Sequence, residues 1–85
     1  MSVRILVAED EALIRMDLVE MLQGAGYEVV AQATNGQEAI DLAIEHKPDL
    51  AILDVKMPIL DGITAAEKII EIAPVLMLTA KIALM

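Results

Sequence analysis

Cysteine, tryptophan and phenylalanine are absent, and Tyr27 is the single aromatic residue among 85. Without cysteine there is no disulfide framework, thiolate zinc site or cysteine nucleophile. Long uncharged runs are missing too. The longest, residues 29–37 and 72–80, hold nine residues each, whereas a membrane-spanning helix needs roughly 20. No cationic stretch precedes an apolar core at the N-terminus, so no secretory leader is expected and a cytoplasmic location is. Positive charge is scarce: six Lys and Arg stand against fourteen Asp and Glu, for a net charge of −8 and a pI near 4.3. The basic residues Arg4, Arg15, Lys47, Lys56, Lys68 and Lys81 are scattered. Nucleic-acid binding by this segment is therefore not expected, because phosphate contacts need clustered cations. No helix pairs a basic face with an apolar one, so membrane-surface binding is not expected either. An acidic balance suits small cations or basic protein surfaces, although for net charge alone plain solubility is the favoured reading.

What the chain does have is apolar residues, 58% of the total, with a mean hydropathy of +0.64. That excludes disorder, and the length allows one small domain. The apolar share is high for so short a domain, which has much surface to cover with polar groups.

Two periods alternate along the chain. Residues 3–8 (VRILVA) form a short apolar run that stops at Glu9-Asp10. Residues 11–23 place Ile14, Leu18, Met21 and Leu22 at helical spacing, before Gly24 and Gly26. Residues 28–33 read as a second strand and Thr34-Asn35-Gly36 as a turn. A second helix over 37–46 sets Ala39, Ile40, Ala43 and Ile44 against Glu38, Asp41 and Glu45, and Pro48 closes it. Residues 50–53 (LAIL) form a strand ending at Asp54, followed by a loop with Pro58. The third helix is predicted over 62–72 with Ile63, Ala66, Ile69 and Ile70 inward, and Pro74 stops it. Residues 75–78 (VLML) form a fourth strand ending at Thr79. The order is β-α-β-α-β-α-β. Strands one, three and four are apolar throughout, as in a parallel sheet covered on both faces. Right-handed crossovers then restrict the topology to doubly wound α/β forms.

The strands end in chemistry. Glu9-Asp10, Asp54 and Thr79 all fall at C-terminal ends, which share one edge of a parallel sheet. With strands one and three adjacent, the strand order reverses between them, and ligands bind in the crevice at such a switch point. Carboxylates brought together repel. A hard divalent cation relieves this, and Mg²⁺ takes oxygen ligands at about 2.0–2.1 Å while keeping several waters. A metal-held carboxylate beside a hydroxyl also suits a phosphoryl acceptor. Simpler roles stand beside these: Glu9-Asp10-Glu11 as a helix cap, Asp54 as a turn residue, and Thr79 as a strand-end hydroxyl. Asp61-Gly62 reads as a turn and helix start. His46 reads as a solvated residue in a last helical turn, the methionines as core filling, and Tyr27 as packing at a strand entry.

The run Ile5-Leu6-Val7-Ala8-Glu9-Asp10-Glu11, the segment Leu53-Asp54-Val55-Lys56-Met57-Pro58, the pair Asp61-Gly62 and Leu78-Thr79-Ala80 together resemble the receiver domain of two-component response regulators, over residues 1–80. The resemblance implies a flavodoxin-like sheet of strand order 2-1-3-4 and a signalling domain, not an enzyme in its own right. It implies phosphorylation of Asp54 by a sensor histidine kinase. Mg²⁺ would be held by Asp10, Asp54 and the backbone carbonyl of Lys56, with Glu9 assisting. Thr79 would bind the phosphoryl group and switch, while Pro58 and Gly62 would shape the loop. The wording of residues 11–18 resembles receivers joined to RNA-binding antiterminator modules of the ANTAR type, which implies such an output domain.

The chain departs from the family at its end. A receiver's fifth strand, its lysine and its last helix have no counterpart, and Lys81 follows Thr79 too closely to be that lysine. No catalytic lysine is found. The expectation is a truncated receiver, or one whose sequence joins segments across missing residues, with 81–85 as a short tail. An unpaired fourth strand invites edge pairing, so dimer formation or edge-mediated association is expected. Two other functions remain in view. One is a Mg²⁺-dependent aspartyl-phosphate phosphatase or phosphotransferase, disfavoured by Lys56 standing where such enzymes place a second carboxylate. The other is an interaction domain that works without phosphorylation.

Overall fold

The structure, a computed structural model, describes residues 2–78. The elements run β1 (Arg4–Ala8), α1 (Ala12–Gly24), β2 (Glu28–Ala33), α2 (Gly36–His46), β3 (Leu50–Asp54), α3 (Gly62–Ile69) and β4 (Val75–Leu78). They build one parallel sheet of order β2-β1-β3-β4, the predicted doubly wound α/β topology. Thr79 and the tail 81–85 lie outside the described residues.

Side chains alternate across the strands and divide the core in two. Leu6, Ala8, Ala51 and Leu53 face α2 and α3, packing with Ala39, Ala43, Ala65 and Ile69. Ile5, Val7 and Ile52 face the other way, against Val19 of α1 with Leu18 and Leu22 beside it. Burial on both faces is why β1 and β3 are continuously apolar. β4 departs from the expected two-sided burial: Leu76 is 50% exposed, because β4 pairs only with β3 among the described residues.

The helix ends follow from side chains and backbone. Asn35 caps α2 by accepting from the Glu38 amide at 2.8 Å, while Glu38 in turn accepts from the Thr34 amide at 2.8 Å. Lys47 ends α2 in the left-handed conformation, φ 45°. The third helix is shorter than predicted. It stops at Ile69, and the chain turns tightly there, with Ile72 and Ala73 both donating to the Ile69 carbonyl.

The predicted inward faces are partly corrected. In α3, Ile63 and Ile70 are exposed and Ala65 joins Ile69 in the core; in α2, Ile44 is exposed. In α1, Met21 is exposed and Val19 is the buried residue. Each helix carries more apolar residues than one face can bury, so packing against the sheet selects among them. Of the methionines, Met57 fills core while Met16 and Met21 are exposed. Tyr27 is 42% exposed.

Two glycines make opposite predictions. A methyl group on Gly36 would collide with the Leu60 backbone carbonyl, whereas one on Gly24 meets nothing within 4 Å. Gly24→Ala is expected to stabilise the chain by about 0.5–1 kcal/mol through reduced unfolded-state entropy and better helix propensity. Gly36→Ala is expected to destabilise it. Denaturant midpoints shifting in opposite directions, with unchanged slope, check both.

Candidate metal and phosphoryl site

The sheet register brings the acids together. Ala8 pairs with Leu53 across β1 and β3, so the next residues on each strand are Glu9 and Asp54. Glu9 is fully buried and Asp54 is 2% exposed, while Asp10 is half-buried. One carboxylate oxygen from each of Glu9, Asp10 and Asp54 lies within 4.8 Å of the others. Among the described residues this is the one cluster of potential metal ligands.

The turn carrying Glu9 and Asp10 is fixed at several points. The Glu9 amide donates to the Ala33 carbonyl at 3.0 Å. The Glu9 carboxylate accepts from the Glu11 amide at 2.8 Å, and its carbonyl accepts from the Arg15 guanidinium at 2.7 Å. Glu11 occupies the N-cap position of α1, but its side chain makes no cap bond.

The loop after Asp54 folds back on its own strand. The Val55 amide donates to Leu78, and the Gly62 amide donates to the Val55 carbonyl at 3.0 Å. A methyl group on Gly62 would fall on the Asp54 carbonyl oxygen. Any larger residue there displaces either α3 or the strand end that carries Asp54. Met57 tucks into the core. Ile59 adopts φ 69°, a left-handed conformation unfavourable for a β-branched side chain, and is 83% exposed.

Asp10, Val55, Lys56, Met57, Pro58, Asp61 and Ile63 line an open cleft over this site. Asp54, next in sequence to the lining residue Val55, is itself buried and does not line the cleft. The oxygen-only donor set matches a hard cation such as Mg²⁺, and Lys56 lines the same cleft as Asp10. Of the residues singled out from sequence, Glu9, Asp10 and Asp54 are brought together; Lys56 and Pro58 line the cleft, and Gly62 packs on Asp54. Sequence reasoning missed Arg15, whose spacing from Glu9 gave no signal of a bond to its carbonyl.

A small doubly wound domain with an oxygen-donor cluster at its switch point is the class that fold and site define. The chain belongs to the response regulator receiver domain family, whose model matches residues 5–85. It is 63% identical over 79 residues to the transcriptional regulatory protein PdtaR of Mycobacterium tuberculosis, covering 91% of this chain and 38% of that protein. The chain thus spans well under half of that relative. The response regulator domain of Thermotoga maritima CheB superposes with a TM-score of 0.85 at 40% identity, over 91% of this chain and 60% of that one. A chain of the CheX-CheY-BeF3-Mg²⁺ complex from Borrelia burgdorferi gives 0.84 at 29% identity, over 88% of this chain and 60% of that one.

Asp61 begins α3 as expected of a turn and helix start, accepting from the Thr64 amide at 2.7 Å. The Thr64 bonds hold its carboxyl below the ordinary value, outweighing a small opposing effect of burial. A lowered folded-state pKa contributes stability above the unfolded value that disappears as pH falls through the folded one. Asp61→Ala is thus expected to lower the melting temperature at neutral pH, with the gap to wild type closing below about pH 4. Asp61→Asn, which keeps an acceptor, should lose less. Thermal melts across pH check both. Separately, Ile59→Asn is expected to stabilise by about 1 kcal/mol, because Asn tolerates the left-handed region and little packing is lost; denaturant titration reads it.

Proposed function

We propose that Asp54 accepts a phosphoryl group from a phosphohistidine of a partner kinase, and that the acid cluster holds Mg²⁺ for the transfer. The observation that carries this reading is the convergence of three carboxylates from two adjacent strand ends within 4.8 Å in a receiver-family chain. Asp10, Asp54 and the Lys56 carbonyl would hold the ion, with Glu9 assisting; Mg²⁺ supplies charge neutralisation at the phosphoryl oxygens.

The chain's own residues do the rest. A carboxylate oxygen of Asp54 attacks phosphorus in line. An O–P bond forms and the P–N bond breaks, its electron pair returning to an imidazolium ring already protonated on its other nitrogen, so that an acyl phosphate and a neutral histidine result. Because Asp54 is 2% exposed, the donor reaches it phosphoryl group first, through the cleft between Asp10 and Lys56. Thr79, the residue after β4, is proposed to bond the transferred group and move with it. Pro58 and Gly62 are proposed to fix the loop that frames the cleft. Phosphorylation then alters the surface around the end of β4 and biases an output module. The likeness to a transcriptional regulator and the α1 sequence support an output of the RNA-binding antiterminator type. No helix among the described residues is long and apolar enough to cross a membrane.

The chain incubated with a small phosphodonor and Mg²⁺ is expected to gain one labile, phosphate-sized mass, absent in Asp54→Asn and abolished by chelator. Intact-mass spectrometry reads it. Steady turnover of phosphomonoesters would support a phosphatase, and neither adduct nor Mg²⁺ binding would support an interaction domain that works without phosphorylation.

A further inference from the structure

We propose that Arg15 is a positioning residue for the acid site: its guanidinium, by holding the Glu9 carbonyl, sets the direction from which Asp10 meets a bound cation. The inference rests on the metal-site reading above. Asp10 sits between two peptide units, each planar and each rigid. The Glu9–Asp10 unit is held through its carbonyl oxygen, which accepts from Arg15 Nη1 at 2.7 Å. The Asp10–Glu11 unit is held through its amide, which donates to the Glu9 carboxylate at 2.8 Å. With both neighbouring planes fixed, the Asp10 Cα–Cβ bond has one direction available.

The two holds differ in what a cation does to them. The Glu9 carboxylate belongs to the acid cluster itself, so a cation competes for its charge and loosens its grip on the Glu11 amide. Arg15 grips a carbonyl, and its charge is permanent. It therefore keeps Asp10 aimed in both the free and the metal-bound site. Arg15 can do this because it sits one turn into α1, its own amide bonded to the Glu11 carbonyl at 2.9 Å, so that helix and turn are tied at both ends. A charge-assisted bond to a carbonyl is stronger than the neutral kind, which suits a turn that carries two acids beside a third.

Residues that orient a metal ligand without touching the metal commonly change affinity by about tenfold or more when removed. Arg15→Met keeps an unbranched stem of similar length and deletes the guanidinium; Arg15→Lys keeps the charge on a single donor nitrogen. In the full chain, calorimetric titration with MgCl2 is expected to show roughly tenfold weaker binding for Arg15→Met and an intermediate loss for Arg15→Lys. In metal-free protein, exchange of the Glu11 amide should accelerate in Arg15→Met while that of Leu53 in β3 stays as in wild type. Unchanged or tighter Mg²⁺ binding in Arg15→Met overturns the proposal, since removal of a mere like charge would tighten it. Wild-type protein that takes up no Mg²⁺ overturns the metal-site reading instead. Glu11 exchange, read without metal, then still decides the clamp: acceleration sustains it and no change overturns it.

Discussion

Like-charge repulsion among Glu9, Asp10 and Asp54 is the constraint around which this domain is arranged. For oxygens within 4.8 Å of one another and an effective dielectric near 20, two unit charges would repel by on the order of 3 kcal/mol. Two of the three acids are almost fully buried, where water screens little. A fold of marginal stability retains such an arrangement only where something else depends on it. Here the parallel sheet makes the arrangement unavoidable. Its C-terminal edge collects the residues that follow β1 and β3, and the register sets Glu9 beside Asp54.

The surrounding structure reads as a frame that holds these acids in place. On one side, the Ala33 carbonyl, the Glu11 amide and Arg15 fix the turn after β1. On the other, Gly62 lets α3 begin against the Asp54 carbonyl, and Met57 anchors the loop between them in the core. Strain accumulates in this loop rather than in the sheet: Ile59 takes a left-handed conformation at an exposed position. In the proposed function, preorganised ligands would lower the reorganisation required when a cation arrives, and the pairing of Asp54 with Leu78 would link a group bonded there to β4.

Much of this was legible in the sequence for definite reasons. Continuous apolar runs at residues 5–8 and 50–53 can be buried on both faces only in a covered parallel sheet, and that fixed the topology. Acids ending two such runs then had to share an edge. The helix faces were less legible. In α3, Ile63 and Ile70 satisfy helical spacing as well as Ile69 does, and only the contact of Gly62 with β3 decides which way the helix turns. In α1, apolar residues lie on several sides, so spacing alone favoured Met21 where packing chose Val19. Arg15 was invisible because a side chain that bonds a backbone carbonyl leaves no pattern in residue types. The expected roles of Thr79 and of the tail 81–85 concern residues beyond those described.

The central claim is that the three carboxylates are held together against their repulsion for a cation. The most direct measurement is thermal unfolding of wild type and Asp54→Asn, each with and without Mg²⁺. The expected result is that Asp54→Asn melts higher than wild type without metal, because one buried charge is gone, and that Mg²⁺ raises wild type while leaving the variant nearly unmoved. A variant that melts lower than wild type without metal, together with a wild type indifferent to Mg²⁺, would contradict it.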